Sequence, residues 1–433
     1  MGQRTMKAIR VSELGGPHVL RVEEVPIPKP AQNQVLIEVK SAGVNPVEAQ
    51  ICNGEFGLCN TPFTPGGDTA GIVAAVGEGV TQFKVGDRVY SCYGDAPPQP
   101  TGAYGQFMLA ETRFVFPLAD RLSFSQGAAL GVPYFTALRA LKYRAKAKAG
   151  ESILIHGASG AVGIAATQIA TALGMTVTGT AGSAEGLALI KLNGATIVSN
   201  HKDKDHAENL HKMIGKKGFD VILETNAHKN LALDTELIGQ WGRIVAIGGD
   251  GATSINARTL LNTEATLTGV QLWKTTSEEW QTMADILAGL IEAGKIAPVI
   301  DTEYSLEQAS EVSYYCTLIN FVLRYFRGKQ VYSSAGSSSY SSTLHRCARK
   351  DYPQAILKVL VYKRYHREFY WSCLTHVGTK HTQSRCNNTV VENALSKEKK
   401  GSTVTRVTDL RFALDLLSRF HFFIRHGATV TDG

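Results

Sequence analysis

The clearest chemical pattern in the chain is a set of three glycines spaced three residues apart, Gly157, Gly160 and Gly163. They follow a short apolar run, residues 152–156, and precede a segment with helical apolar spacing, residues 162–173. Glycines at a strand-to-helix turn let the backbone approach a pyrophosphate, whose charge is stabilised at the helix N-terminus. A plain tight turn is the alternative, but the strand and helix on either side favour a dinucleotide-binding turn.

The end of the second predicted strand indicates which nicotinamide cofactor binds. Enzymes that use NADH usually place Asp or Glu there to bind the ribose 2′-hydroxyl. This chain has Gly182 and Ser183, with no acidic residue before Glu185. Because no carboxylate repels a 2′-phosphate and Ser183 can donate to it, the sequence favours NADPH. His201, at the end of the third predicted strand, is placed near the adenosine; a surface histidine is an equally consistent interpretation.

The elements that must position these residues form two regions. Residues 1–128 contain short apolar or alternating runs between Gly and Pro turns, which predicts irregular β structure with barrel-like closure. Ser123 and Gln126 form a capping-box pattern that starts helical spacing to about residue 145, with a break or kink at Pro133. Residues 129–270 alternate six short strands with helices, as in a doubly wound parallel sheet, and about 271–312 return to complete the first domain. The six strands are predicted at 152–156, 176–181, 196–200, 219–225, 243–248 and 266–270.

Composition changes abruptly near Val312. The chain carries a net charge of +7, but residues 313–433 hold 19 Lys and Arg against 7 Asp and Glu, whereas the preceding residues hold 26 against 31. We expect an atypical basic, aromatic-rich tail that is disordered or poorly folded, and unrelated sequence introduced by splicing or a gene-model error is the favoured explanation. The basic aromatic run 362–367 suits single-stranded RNA. Zinc could bind a cluster of Cys373, His376, His381 and Cys386, although a chance cluster is favoured.

Other features narrow the class of protein. No apolar run approaches the roughly 18 residues of a membrane span, and the first residues lack a secretory signal. The 7 cysteines include no Cys-x-x-Cys pair, which fits free thiols in a reducing compartment. A cytoplasmic enzyme is therefore expected.

Five segments match the motifs of a known family: residues 42–48, 65–68, 85–89, 133–137 and 156–160. They closely resemble the zeta-crystallin and quinone oxidoreductase branch of the zinc-free medium-chain dehydrogenase/reductase superfamily, over residues 6 to 311. The resemblance implies an α/β fold with a GroES-like β-rich catalytic domain and a Rossmann domain. It also implies an NADPH:quinone oxidoreductase, active as a homotetramer and reducing ortho-quinones by one electron. There are two alternatives: a reductase of α,β-unsaturated carbonyls, or a non-catalytic protein that binds AU-rich RNA or serves as a crystallin.

The resemblance also implies which residues contact the cofactor. The family places a tyrosine near the nicotinamide at the position of Gln50. The other contacts carried over by position are Ser159, Gly160, Ala161, Val162, Gly182, His201, Asn230, Ile247, Gly248, Gly249, Asp250, Val270, Gln271 and Leu272.

Catalysis is expected to proceed without a metal. Zinc-dependent relatives supply Cys, His and Glu at the positions of Asn45, Gly67 and Asp68 in this chain, which gives no zinc ligand set. A quinone needs little activation, so the protein must orient it, exclude water and stabilise charge on a quinone oxygen. Asn45 and Tyr134 are the candidate donors; an Asn that forms a turn and a packing Tyr are the alternatives.

The end of the family pattern is interrupted. Such chains finish with an amphipathic helix, a glycine-rich turn, Gly-Lys and a short apolar strand that completes the catalytic domain. Here residues 306–311 begin the helix, and the sequence departs from the pattern at Ser313. We therefore expect the final strand to be missing, which would leave an exposed sheet edge, lower stability and weak activity.

Overall fold

The computed structural model describes residues 4–57, 60–92, 101–249 and 251–313 with their side chains, and residues 329–333 by their backbone. All of them lie in the unit Met1–Ser339. The basic aromatic run 362–367 and the Cys/His cluster of the tail lie outside the described residues, as do Asp250 and Cys59.

Strands dominate the first part of the chain, and strands alternate with helices in the second. The strands are β1 (Thr5–Arg10), β2 (Arg21–Pro26), β3 (Gln34–Val44), β4 (Thr69–Val76), β5 (Arg88–Ser91), β6 (Phe107–Glu111), β7 (Val115–Pro117), β8 (Ser152–Ile155), β9 (Thr176–Ala181), β10 (Ile197–Asn200), β11 (Phe219–Glu224), β12 (Ile238–Ala246), β13 (Thr266–Gly269), β14 (Ile300–Tyr304) and β15 (Lys329–Ser333). The α-helices are α1 (Pro46–Cys52), α2 (Phe124–Ala128), α3 (Gly131–Arg139), α4 (Ala161–Ala172), α5 (Ala184–Leu192), α6 (His206–Ile214), α7 (Ala227–Leu237), α8 (Ala257–Thr263) and α9 (Ser277–Glu292).

The β-rich domain is built around a sheet whose described strands run in the order β14-β15-β3-β4-β5-β7, with β6 also paired to β3. Strands β1 and β2 form a separate antiparallel pair. Apolar side chains of β3 and β4, including Val35, Ile37 and Val73, are fully buried between these elements. This is the GroES-like architecture that the sequence predicts.

The second domain is a parallel sheet in the order β10-β9-β8-β11-β12-β13. All five strand pairings are parallel, which confirms the predicted doubly wound fold. The chain order reverses between β8 and β11, and in such sheets ligands bind at the carboxyl ends of the strands flanking this reversal. Strand β12 begins at Ile238, five residues before the predicted start, because its first residues pair with Phe219 on β11.

The helices between the domains begin as the sequence predicts. Ser123 Oγ accepts the amide of Gln126, and the Gln126 side chain accepts the amide of Ser123, each at 3.1 Å. The break, however, falls before Pro133 and not at it, because α2 ends at Ala128 and α3 begins at Gly131. Pro133 lies in the first turn of α3, where a missing N–H breaks no intrahelical bond.

An aromatic core joins the two domains. The Phe135 ring on α3 lies 4.8 Å from the Trp280 ring on α9 and 5.2 Å from the Phe116 ring on β7, measured between centroids. Phe114 adds an edge-on contact to Trp280 at 5.7 Å. These rings are buried in one apolar cluster, which also contains side chains of the β-rich domain and of the parallel sheet. None of the described helices has the length and apolar content to cross a bilayer.

The prediction that the final strand is missing is wrong. The backbone of β15 lies between β14 and β3, parallel to β14 and antiparallel to β3, with Val331 opposite Gly43. The strand that returns to the first domain, β14, begins at Ile300, within the segment predicted to complete that domain. The sequence signal for β15 is Gly328-Lys329 with Val331 following, which is the family ending displaced along the chain.

Candidate active site

The glycine turn lies between β8 and α4, at the carboxyl edge of the parallel sheet. Gly157 has a φ of +61°, a conformation that favours glycine, and its amide donates to Thr180 Oγ1 at 3.2 Å. The Ala158 amide donates to the Thr180 carbonyl at 2.8 Å, which fixes the turn to β9. Helix α4 begins at Ala161 after Gly160, and no side chain caps its N-terminus. The first amides of α4 are therefore suited to a pyrophosphate.

Gly163 determines how closely α4 packs on this turn. A Cβ at Gly163 would lie 2.5 Å from both Ala158 Cα and the Gly157 carbonyl oxygen, closer than real Cβ contacts. A Cβ at Gly160 would meet the same Gly157 oxygen at 3.3 Å, a much milder conflict. Gly163 is thus needed for helix packing, whereas Gly160 mainly leaves the space above the turn open.

The end of β9 has the uncharged character that the sequence predicts. Ser183 caps α5 by accepting the Gly186 amide at 3.1 Å, and Gly182 beside it is buried. The first carboxylate, Glu185, lies in the first turn of α5. The His201 amide donates to the Ala181 carbonyl at 3.0 Å, which places His201 beside the end of β9.

The loops after β11, β12 and β13 meet at the same edge. Asn230 Nδ2 donates to Glu224 Oε1 at 3.3 Å, and the Ile247 amide donates to the Glu224 carbonyl at 2.8 Å. The Val270 amide donates to the Ala246 carbonyl at 3.0 Å. Apart from Gln50, the described cofactor candidates therefore follow the carboxyl ends of adjacent strands. They are Gly157, Ser159, Gly160, Ala161, Val162, Gly163, Gly182, Ser183, His201, Asn230, Ile247, Gly248, Gly249, Val270, Gln271 and Leu272.

A buried ionisable cluster that the sequence analysis missed lies directly beneath the glycine turn. His156 Nε2 is 2.9 Å from Asp234 Oδ1 and 3.8 Å from Glu224 Oε2, and all three side chains are at most 3% exposed. Burial alone would lower the pKa of His156, but the hydrogen bond to Asp234 and the two carboxylate charges raise it. Burial raises the pKa of Glu224 to about 7, opposed by His156 and reinforced by Asp234. His156 follows β8 and Glu224 ends β11, so no sequence spacing links them.

Asn45 precedes α1 and is only 4% exposed. Its Nδ2 donates to Glu48 Oε1 at 3.0 Å and to Asp68 Oδ2 at 3.1 Å, so both amide hydrogens are already used. Asp68 Oδ2 also accepts the Val132 amide at 2.9 Å. In this arrangement Asn45 connects α1, the start of β4 and α3, and a donor role toward substrate would require it to release one of these carboxylates.

Tyr134 does not fit the donor role that the sequence allowed. Its side chain is 2% exposed within the shared apolar core, and its hydroxyl donates to Gln168 Oε1 at 2.7 Å. Burial also raises the pKa of this phenol above its ordinary value. Tyr134 is therefore the packing tyrosine of the two interpretations, joining α3 to α4.

Two aromatic side chains, far apart in sequence, meet beside Leu272, one of the candidate cofactor contacts. Phe56, just after α1, and Trp273, just after Leu272, contact edge to face with centroids 5.2 Å apart. Both are only partly buried, and Val47 and Val132 pack against the same apolar cluster. Gln50 lies on α1 and is half-buried. This part of the site is apolar and aromatic, which suits a flat, weakly polar molecule.

The residues at the zinc positions of metal-dependent relatives do not form a ligand set. Asn45 Nδ2 is a donor to two carboxylates, Gly67 has no side chain, and Asp68 is bonded to Asn45 and Val132. Cys52 and Cys92 are buried, and neither forms a disulfide with another described residue. A catalytic zinc needs three N, S or O ligands, which these positions do not supply.

Comparison with known proteins gives matches over both domains. Residues 31–120 match the family described as alcohol dehydrogenase GroES-like domain, and residues 161–289 match the family described as zinc-binding dehydrogenase. The quinone oxidoreductase of Rattus norvegicus is 47% identical over 72% of this chain and 93% of its own length. A quinone oxidoreductase structure from Pseudomonas syringae is 29% identical, with a TM-score of 0.68 over 76% of this chain and 99% of its own. A mycobacterial structure complexed with NADPH is 27% identical, with a TM-score of 0.66 over the same shares.

The two folded domains and the glycine turn between β8 and α4 define a medium-chain dehydrogenase/reductase, an oxidoreductase that uses a nicotinamide cofactor. Within that superfamily the chain belongs to the quinone oxidoreductase branch, which includes zeta-crystallin, and the predicted membership is confirmed.

Proposed function

We propose that the chain is an NADPH-dependent quinone oxidoreductase that works without a metal. The observation that carries the proposal is the edge-to-face contact between Phe56 and Trp273, an apolar aromatic pair that includes a side chain from the loop after β13. The quinone oxidoreductase branch supports the acceptor class, and the lack of a carboxylate before Glu185 supports NADPH over NADH. Quinones such as ortho-quinones suit this aromatic pair because they are planar and need little activation to accept electrons.

The roles of the chain's own residues follow from their positions. The amides at the start of α4 bind the pyrophosphate, and Ser183 donates to the 2′-phosphate while capping α5. Phe56 and Trp273 hold the acceptor and exclude water. Asn45 positions α1, and with it Gln50, through the two carboxylates that it binds. The reduced nicotinamide supplies the hydride or electrons.

The direct test is oxidation of NADPH and NADH by the full chain with 1,2-naphthoquinone or an enone as acceptor. We expect turnover with NADPH and the quinone. In Trp273→Leu we expect the KM for quinone to rise roughly fivefold or more, because the aromatic contact is lost, with the NADPH affinity unchanged. Trp241→Phe is the control, since Trp241 is 68% exposed and lies near the start of β12, whereas the candidate cofactor loops follow the strand ends. Turnover of the enone but not the quinone, or no binding of NADPH, would contradict the proposal.

Three further predictions remain: a homotetramer and binding of AU-rich RNA, which the resemblance implies, and a cytoplasmic location, which the cysteine usage and the first residues of the sequence favour. They stay predictions, and sedimentation of the full chain with and without such an RNA tests the first two together. Loss of RNA binding with rising salt would indicate phosphate contacts.

A further inference from the structure

The buried cluster of His156, Glu224 and Asp234 touches three of the loops that form the cofactor site. His156 precedes Gly157 of the glycine turn, and its carbonyl accepts the Thr225 hydroxyl at 3.2 Å. Glu224 Oε1 accepts the Asn226 amide and, at 3.3 Å, Asn230 Nδ2. The cluster therefore connects the turn after β8 with the loop after β11, across the reversal in strand order where the dinucleotide binds.

The hydrogen bonds of the cluster leave two carboxylate oxygens without a partner. Glu224 Oε2 and Asp234 Oδ2 are both buried and accept no hydrogen bond among the described residues. The ligand atoms of the three side chains lie within 4.8 Å of one another. Two buried carboxylates and one imidazolium carry a net charge of −1, and a buried uncompensated charge is costly. One added proton, carried by the Glu224 carboxylate, would make the cluster neutral.

We propose that His156, Glu224 and Asp234 are positioning residues that hold the cofactor-binding loops and bind one exchangeable proton, whose loss weakens cofactor binding. When that proton leaves to solvent, a net negative charge remains behind the glycine turn and opposes the pyrophosphate. The inference goes beyond the proposed function and rests only on its nicotinamide cofactor.

The surrounding groups set the pH range of this effect. Burial raises the pKa of Glu224 to about 7. Burial lowers the pKa of His156, but the hydrogen bond to Asp234 and the two carboxylate charges outweigh it and raise that pKa, which favours the charged imidazolium. The other groups whose charge reaches His156 are His201, after β10, and His206, on α6. Partial removal from water and the charge of His156 lower the pKa of both, which favours their neutral forms. Since the raised pKa belongs to Glu224, cofactor binding is strong below about pH 7 and weakens as the pH rises through it.

The test is the dissociation constant of NADPH for the full chain from about pH 6 to about pH 8.5, in wild type and Glu224→Gln. Glutamine keeps Oε1 for the Asn226 amide and Asn230, and it is neutral at every pH. We expect the dissociation constant of wild type to rise roughly tenfold over this range relative to that of Glu224→Gln. Because both proteins bind the same cofactor, the ratio of the two constants does not depend on titration of NADPH itself. Glu236→Gln is the matched control, since Glu236 is an exposed carboxylate on the same helix as Asp234, and it should follow the wild type.

A second measurement uses wild type alone, in case the variant fails to fold. Calorimetry in buffers of different ionisation enthalpy measures protons taken up with NADH, which has no group titrating near neutral pH. About half a proton or more per NADH is expected near pH 7.5. Three results would overturn the inference. The ratio of the wild-type to the variant dissociation constant for NADPH could stay the same at every pH, or no proton could be taken up with NADH. Wild type could also carry one equivalent of divalent metal that Glu224→Gln lacks. No binding of either cofactor at any pH would instead contradict the proposed function.

Discussion

At the scale of single residues, cofactor choice depends on the short segment after β9. Ser183 performs two tasks there, because its oxygen accepts the Gly186 amide while its hydroxyl hydrogen stays available for a ligand. Asp and Asn are as good as Ser at a helix N-cap. Charge at this position can therefore be changed without removing the cap of α5.

Ser183→Asp is expected to shift preference from NADPH toward NADH. The carboxylate would repel the 2′-phosphate and raise the dissociation constant of NADPH roughly tenfold or more, with little loss for NADH. Ser183→Asn retains the cap without the charge and is expected to change either affinity by less than about threefold. Fluorescence titration with NADPH and with NADH measures the two dissociation constants of each variant. An equal rise in the dissociation constant of NADPH in the two variants would show that loss of the serine hydroxyl matters and that the added charge does not.

At the scale of elements, sequence pattern predicts most of the Rossmann sheet and the turn that binds the cofactor. Each strand there is a short apolar run, and Gly157, Gly160 and Gly163 mark a local strand-turn-helix unit. The sequence could not predict the cluster beneath the turn, because Glu224 and Asp234 approach His156 only through strand pairing and helix packing. The same limit applies to Asn45 and Tyr134, whose roles depend on which partners the fold brings to them.

Gly163→Ala tests how tightly α4 is packed on the turn. The new Cβ would meet backbone atoms at 2.5 Å, so α4 must move away. We expect the free energy of unfolding to fall by about 1–3 kcal/mol, even though alanine favours helix, and cofactor affinity to fall with it.

The matched variant is Gly160→Ala, whose Cβ contact is 3.3 Å. It should lower the free energy of unfolding by less than about 1 kcal/mol, because only the N-cap preference is lost. Denaturant unfolding of both variants measures this difference. If the free energy of unfolding falls equally in the two, the close contact at Gly163 relaxes at no cost.

At the scale of the whole molecule, the described chain returns from the parallel sheet to the β-rich domain at β14, and β15 joins the same sheet. Strand β15 is central, since it pairs with β14 on one side and β3 on the other. Strand β3 leads directly into Asn45 and α1, and α1 carries Gln50 toward the aromatic pair. Closure of the sheet by β15 therefore supports the substrate side of the site from a distance.

Val331→Pro is expected to open this sheet. Proline removes a backbone N–H and is tolerated mainly on edge strands, so in β15 it should cost roughly 3 kcal/mol or more. Hydrogen exchange of the full chain should then become faster at Ala42 and Val44 of β3, which pair with Tyr332 and Gln330 of β15. Quinone turnover should fall because α1 is less well held. Val331→Thr keeps the backbone N–H and a β-branched side chain, and it should exchange like wild type. Unchanged protection of Ala42 and Val44 in the proline variant would mean that β3 holds its conformation without β15, and that the interrupted family ending contributes nothing to the stability of the catalytic domain.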